Sequence, residues 1–504
     1  VVSKLKFLKR LAIRRKQIQI PSWITSLILH TAVLFFLAFL TLPLGKSPEL
    51  SLQAVRVVEE TVSLEEELLD LETDIDEESL EETIDQNLEA EPQIEVLAEA
   101  IESYDSAPLE VAEAVDFNAA LSDFGDILDT TDMPNSSGLQ GRSADSRANL
   151  LRRGGGTKSS EKAVLAGLDW LARHQYPDGS WNFDHTQSEC NGRCGDPTKK
   201  YPKARAAATG LALMTYLGAG HTQSEGRYQR IIYRGIYALS DMVKLDKNGA
   251  SFWDSQGRMY SQGIATMAIC EAYAMTGDPA LREPAQAAIN YVCYAQDPNT
   301  GGWRYTPRTP RLGGDTSVMG WQIGALKSGY LSNLSVPTLV VQRAAGFLDL
   351  VMTEDGSRYY YDVAKPKGHH ACTAIGALCR MYMGEKKSTL GIQQAVEALS
   401  KRGPSKSDVY YNYYTAQALF QYTNGKGPMW KKWNEKTREM LVATQSHEGH
   451  EAGSWKPQAG EGHGQTSGRL FTTAMNTMTL EVYYRMLPIY RQEAIEGEFE
   501  SAQK

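Results

Sequence analysis

The sequence predicts an all-α protein: six helical hairpins preceded by one transmembrane helix and an acidic, disordered tether. Three observations lead there. The 52 Lys+Arg and 61 Asp+Glu of the 504 residues are sorted into three unlike blocks. An apolar run of 22 residues, Trp23 to Leu44, interrupts the first of them. Past residue 158, paired segments of helical period recur six times, with no convincing strand. Six cysteines are too few for a disulfide scaffold, and 42% hydrophobic residues excludes both full disorder and a polytopic membrane protein.

Residues 1–48 hold eight Lys/Arg and no acid, a charge of +8. Trp23 to Leu44 contains no Asp, Glu, Lys or Arg. At 1.5 Å per residue it can cross a hydrocarbon core of about 30 Å. Lys4, Lys6, Lys9, Arg10, Arg14, Arg15 and Lys16 precede it, so the positive-inside rule keeps them cytoplasmic and sends the rest to the extracytoplasmic side, which is expected to be a bacterial periplasm. A cleaved signal peptide is the alternative, but the run is long for one and no A-x-A site follows. Ser26 and His30 share one face of this helix, where a polar pair is costly. Their spacing resembles the span of TonB-type energy transducers, which implies an energy-coupling reading; a tolerated pair near the membrane edge is the plainer one.

Residues 49–132 hold 28 Asp/Glu and one base, Arg56, a charge of −27. Leu and Ile are interspersed, so short amphipathic helices can form, but like-charge repulsion favours an extended tether. Residues 133–158 are a polar, Gly-rich lead-in. The remaining 43 bases and 33 acids give residues 133–504 a charge of +10, with no nucleic-acid signature beyond that. The organisation expected is a basic cytoplasmic segment (1–22), a transmembrane signal anchor (23–44), a largely disordered acidic linker (45–157), a helical domain (158–490) and a C-terminal tail (491–504).

Within the helical domain, runs of small and apolar residues end in turns: Ala206–Gly218, Gly263–Gly277, Ser317–Gly329, Ala371–Gly384, Tyr411–Gly425 and Thr472–Leu487. Gly218, Gly277, Gly329, Gly384 and Gly425 can each supply a left-handed stop. A second helical segment precedes each run: Glu161–Gln175, Tyr228–Val243, Pro279–Gln296, Val336–Met352, Gly391–Ser400 and Lys432–Gln445. Hairpins of this kind bury a continuous face by stacking or by closing into a ring.

Three connections share a finer signature: Gln175 with Gly179-Ser180-Trp181, Gln296 with Gly301-Gly302-Trp303, and Gln445 with Gly453-Ser454-Trp455. Gln at a helix end can satisfy orphan backbone groups, Gly permits the turn, and Trp buries a large area. These segments resemble the QW motif of the squalene cyclase and protein prenyltransferase repeat superfamily, over about residues 158–490. The resemblance implies an α/α toroid, with the second helix of each hairpin lining a central cavity.

It also implies chemistry that the residues do not keep. Cyclases of the family protonate a polyene from the middle Asp of Asp-x-Asp-Asp-Thr-Ala. The nearest match, Gly313-Gly314-Asp315-Thr316-Ser317, puts Gly314 at the donor position and leaves Asp315 either a helix N-cap or a lone cavity acid. The prenyltransferase zinc His falls on Tyr411 in Asp408-Val409-Tyr410-Tyr411. The cavity is expected to gather Arg205, Tyr260, Trp321, Gln322, His370, Tyr411, Asn412 and Tyr414, an aromatic set suited to a hydrophobic or isoprenoid-like guest.

A second constellation lies in the connections. His185, Cys190 and Cys194 follow the first Gln, and His447, His450 and His463 follow the last. In a closed ring the first and last hairpins are neighbours, so these loops can meet and hold zinc. A Cys190–Cys194 disulfide, suited to an oxidising compartment, and plain structural thiols are the competing readings. Cys270, Cys293, Cys372 and Cys379 read as core thiols. The functional expectation is a membrane-tethered toroid binding a hydrophobic ligand, a glycan or a protein partner. The alternatives are a divergent terpenoid cyclase or prenyl-transferring enzyme using Asp315, and a structural or energy-coupling protein using Ser26 and His30.

Overall fold

The computed structural model describes residue 142 and residues 144–309, 313–459 and 464–485. The expected span, with Ser26 and His30, and nearly all of the tether lie outside these residues. Among the described residues, no helix is long and apolar enough to cross a membrane. The expected lead-in contains a helix, α1 (Ala144–Gly154). Its Leu150 and Leu151 pack against the core, which explains why this part of a polar segment orders.

Among the described residues, six helical hairpins follow. They are α2 (Lys158–Arg173) with α3 (Arg205–Gly218), α4 (Gln229–Met242) with α5 (Arg258–Thr276), and α6 (Pro279–Tyr294) with α7 (Thr316–Leu331). The others are α8 (Thr338–Leu350) with α9 (His370–Tyr382), α10 (Leu390–Arg402) with α11 (Val409–Thr423), and α12 (Gly427–Thr444) with α13 (Gly464–Leu480). A short α14 (Val482–Arg485) packs on α1. The second helices touch in sequence, α3 to α5, α7, α9, α11 and α13, and α13 returns to α3. They form a closed inner ring, and the first helices stand outside it: an α/α toroid.

The inner helices approach closely because their contact positions are small. A Cβ on Gly210 would lie 3.1 Å from the Ala265 backbone, and one on Gly263 would lie 2.9 Å from Trp321 Cβ. Two of the expected glycine stops work differently. Gly218 and Gly329 end up inside their last helical turns, where Glu481 and Ile289 respectively press against them. Gly220 (φ 84°) and Asn333 (φ 55°) take the left-handed position instead.

The expectation of no strand is also corrected. β1 (Lys244–Asp246) pairs antiparallel with β2 (Gly249–Ser251), and β3 (Tyr360–Asp362) pairs with β4 (Lys365–Gly368). Both hairpins are two-stranded and sit in connections. Lys247-Asn248 turns the first of them, and Gly249, at φ 124°, follows as the first residue of β2.

The three Gln…Gly-x-Trp connections have the same bonds. Gln175 Nε2 donates to Gly179 O in its own turn (2.8 Å) and to Ile231 O on α4 (2.8 Å). Gln296 does so to Gly301 O and to Val340 O on α8 (both 2.8 Å). Gln445 does so to Gly453 O (2.9 Å) and to Ala163 O on α2 (2.8 Å). Each amide thus ties a connection to the next outer helix, and for Gln445 the next outer helix is the first. Trp181, Trp303 and Trp455 are buried and donate back to Leu171, Val292 and Leu441 O at 2.8 Å each.

The opposite end of the ring is sealed by buried charge. Arg142 donates to Glu271 (2.9 Å) and to Arg485 O (2.8 Å), and Arg485 bonds both Glu271 oxygens at 3.2 Å. The two guanidiniums hold the Glu271 carboxyl below its usual range against the opposing effect of burial. Glu481, buried beside Arg485 at 3.7 Å, is driven the other way by burial, well above that range.

Closure predicts a clear mutational result. Gly453 has φ 95°, and a Cβ there would lie 2.1 Å from Ala166 O on α2. Gly453→Ala is expected to cost about 2–4 kcal/mol through strain and separation of the last loop from the first helix. Gln445→Leu, which leaves the Gly453 carbonyl without its donor and removes the bond that ties this loop to the Ala163 carbonyl of α2, costs about 2 kcal/mol. Equilibrium denaturation of both variants, read as a lowered midpoint, checks this.

Candidate functional site

The N-terminal ends of the inner helices form one mouth of the ring. Asp315 is fully buried and caps α7, its Oδ1 accepting from Val318 N–H at 2.7 Å. Its Oδ2 accepts from the Tyr361 hydroxyl at 3.4 Å, and Tyr361 meets Tyr305 hydroxyl to hydroxyl. Tyr260 and Ser317 share a hydrogen bond of 2.6 Å, and Tyr410 donates to Ser317 O at 3.0 Å. Burial first, and the Asp315 carboxyl second, hold the phenols of Tyr260 and Tyr361 well above the ordinary tyrosine range, so both are protonated donors at neutral pH. Arg304 pairs with Asp362 (3.2 Å) and lies over the Tyr305 ring at 5.7 Å, with Arg258 over the same ring at 5.2 Å. Trp253, Tyr260, Tyr305 and Tyr361 remain half-buried at this mouth.

Deeper in, aromatic rings reach across the interior of the ring. Trp321 on α7 stacks on Tyr413 of α11 with centroids 5.7 Å apart, although α9 separates these helices around the ring. Tyr410 and Tyr414 meet Trp321 at 6.2 and 5.8 Å. All four rings are buried.

Other residues expected at the cavity have local partners. Gln322 Nε2 donates to Met259 O at 2.8 Å, holding the start of α5. Tyr411 donates outward to Gly403 O at 3.1 Å, and Asn412 brackets the Ser405 backbone at 2.8 and 2.7 Å. Arg205 pairs with Asp178 and Ser180 on the surface. His370 is exposed at the start of α9, its ring 6.5 Å from that of Tyr411.

The first and last connections do meet. His174, Cys190, Cys194 and His450 bring four potential ligand atoms within 4.8 Å of one another. Cys194 Sγ lies 3.3 Å from His174 Nε2 and 3.1 Å from His450 Nδ1. The Cys194 N–H points at Cys190 Sγ, 3.3 Å away, across a turn in which Asn191 and Gly192 have φ 48° and 71°. His174 Nδ1 sits 2.6 Å from Trp170 O, and its ring stacks on Trp170 at 3.7 Å. Burial lowers His174 to about 3 and raises the Cys194 thiol to about 11.

His185 is buried edge-on to His174 (5.5 Å) but is not one of the four. His447 is exposed and also outside the group, and His463 lies outside the described residues. The sequence reading missed His174. Its signal was in the repeat: the position before the bridging Gln is Ala295 and Thr444 in the other two connections.

Around this cluster, Arg469 at the start of the last inner helix joins both loops. It bonds Asp196 (2.7 Å), Glu451 (3.1 Å) and Gly195 O (3.1 Å), and Glu451 accepts from Gly195 N–H at 2.9 Å.

No protein-family model and no curated protein matches the chain. Among solved structures, the GH76A alpha-1,6-mannanase of Salegentibacter sp. matches with TM-score 0.46 at 11% identity, over 64% of this chain and 98% of that one. Cellobiose 2-epimerase from Bacillus thermoamylovorans gives 0.48 at 10%, over 66% and 99%. The type II terpene cyclase MstE from Scytonema, in complex with geranylgeranyl dihydroxybenzoate, gives 0.42 at 16%, over 68% and 99%. Likenesses this low carry no activity across to this chain.

Arg469 is 1% exposed whereas its acids are about a third exposed, at 35% and 34%. Arg469→Leu is therefore expected to cost about 2 kcal/mol, below the cost of breaking a fully buried pair. A denaturation midpoint that drops less in 1 M salt checks the electrostatic origin.

Proposed function

We propose that this chain is a membrane-anchored, extracytoplasmic binding protein that takes a hydrophobic or isoprenoid-like group on the tyrosines at the mouth of its ring. The observation that supports it best is the stack of Trp321 on Tyr413, by which the protein's own side chains occupy part of the ring interior. A polyene cyclase has to enfold its substrate beneath a proton-donating acid. Here Asp315 uses both oxygens as acceptors, one for the α7 cap and one for Tyr361. What stays open is a half-buried aromatic surface rimmed by hydroxyls and arginines, the composition of a binding surface for a flat apolar group with a polar end. In this reading the run Trp23–Leu44 anchors the chain, the basic residues before it stay cytoplasmic, and the acidic segment spaces the ring from the bilayer.

The test uses the full chain in detergent, incubated with squalene, farnesyl diphosphate and geranylgeranyl diphosphate, with products and bound lipid read by mass spectrometry. Retention without turnover is expected. Tyr305→Ala and Tyr361→Ala should each weaken retention about tenfold, the loss of one aromatic contact. Cyclised products that vanish in Asp315→Asn would replace this reading with the divergent cyclase. Failure to retain any of the three lipids would overturn the ligand class and favour a protein partner.

A further inference from the structure

We infer that His174, Cys190, Cys194 and His450 form a structural zinc centre that clasps the first connection of the ring to the last. The inference stands independently of the proposed ligand at the mouth. It rests on geometry. With zinc–sulfur bonds near 2.3 Å and zinc–nitrogen bonds near 2.0–2.1 Å, the edges of a tetrahedral Cys2His2 site are about 3.3–3.8 Å. The observed approaches of Cys194 Sγ to the two imidazole nitrogens, 3.3 and 3.1 Å, lie at the short end of that range and 0.2 Å below it, and no pair among the four exceeds 4.8 Å.

The lone pairs point the right way. His174 Nδ1 faces the Trp170 carbonyl at 2.6 Å, so it carries the proton and leaves Nε2, the atom beside Cys194, as the ligand. That bond also fixes the ring's orientation, as does its stacking on Trp170. The Cys194 N–H aimed at Cys190 Sγ is a donor suited to a thiolate. On binding, the two thiols release their protons to solvent and the two imidazoles contribute lone pairs, with no change of oxidation state. Two thiolates neutralise the dication, so the buried centre carries no net charge.

Two sulfurs with two imidazoles select zinc over the oxygen-seeking calcium and magnesium. Four protein ligands fill the tetrahedron and leave no open position, which marks a structural role. A Cys190–Cys194 disulfide would explain neither imidazole. Cys194 and His450 are 256 residues apart, so the centre ties together the two ends of a closed ring.

Zinc content of the full chain, purified without chelator, is measured by mass spectrometry, with thiols titrated in parallel. About one zinc per chain is expected for a four-ligand site. Replacement by cobalt should give the visible bands of a tetrahedral sulfur–nitrogen site. A strong chelator should lower the melting temperature, and zinc but not magnesium should restore it. Cys194→Ser and His450→Ala should each lose the metal. His450 is half-buried at the rim, so its variant keeps the test open if Cys194→Ser does not fold; helical circular dichroism confirms folding. His447→Ala should retain the metal. Absence of zinc with two of the six thiols missing would overturn the inference in favour of the disulfide. Absence of zinc with all thiols free after zinc addition, or zinc retained in folded Cys194→Ser and His450→Ala, would overturn it too.

Discussion

One glutamine amide, used three times, sets the geometry of this ring. Each donates to the turn it starts and to a carbonyl of the next outer helix, fixing the angle between neighbouring hairpins. The glycines in those turns sit at positive φ, and a side chain there would strike the next outer helix, at Arg234, Arg343 or Ala166 O. The third amide reaches Ala163 and makes the last hairpin the neighbour of the first. An open solenoid would have left both terminal hairpins with an uncovered face; closure removes that problem without capping repeats.

The candidate sites follow from closure. Connections from outer to inner helices all lie at one end, so Asp315, the half-buried tyrosines and the His/Cys cluster share the same rim. The rim at the seam is held by Arg469 as well as by the four converging ligands, while the far end is held by Arg142, Glu271 and Arg485. The two ends are built on opposite principles. One is a rim of partly exposed rings and polar groups, and the other is a desolvated ion cluster that water does not reach.

Much of this was legible in the sequence. The helical period and the small-residue runs located all six hairpins, because inner helices buried on every side need small residues at each contact. Asp315 read either as a cap, from its place before a helix, or as a lone cavity acid, and it caps α7. The two short hairpins were not legible, since strands of three or four residues leave no periodic signal and are stabilised by what they pack on. Several residues expected in the cavity illustrate a different limit. Tyr411 and Asn412 begin an inner helix, but the roughly 100° of rotation between successive residues decides whether a side chain faces the axis or the outer helix, and here the partners are Gly403 and Ser405. His174 escaped notice because it belongs to a helix end rather than to the loop where the other ligands lie.

The most direct test of the account is X-ray absorption at the zinc edge of the full chain, wild type and His450→Ala. The account predicts a first shell of two sulfurs at about 2.3 Å and two nitrogens at about 2.0–2.1 Å in the wild type, and loss of that shell when the ligand from the last loop is removed. An oxygen-only shell, or a sulfur–nitrogen shell unchanged in His450→Ala, would show that no metal joins the two loops and would contradict it.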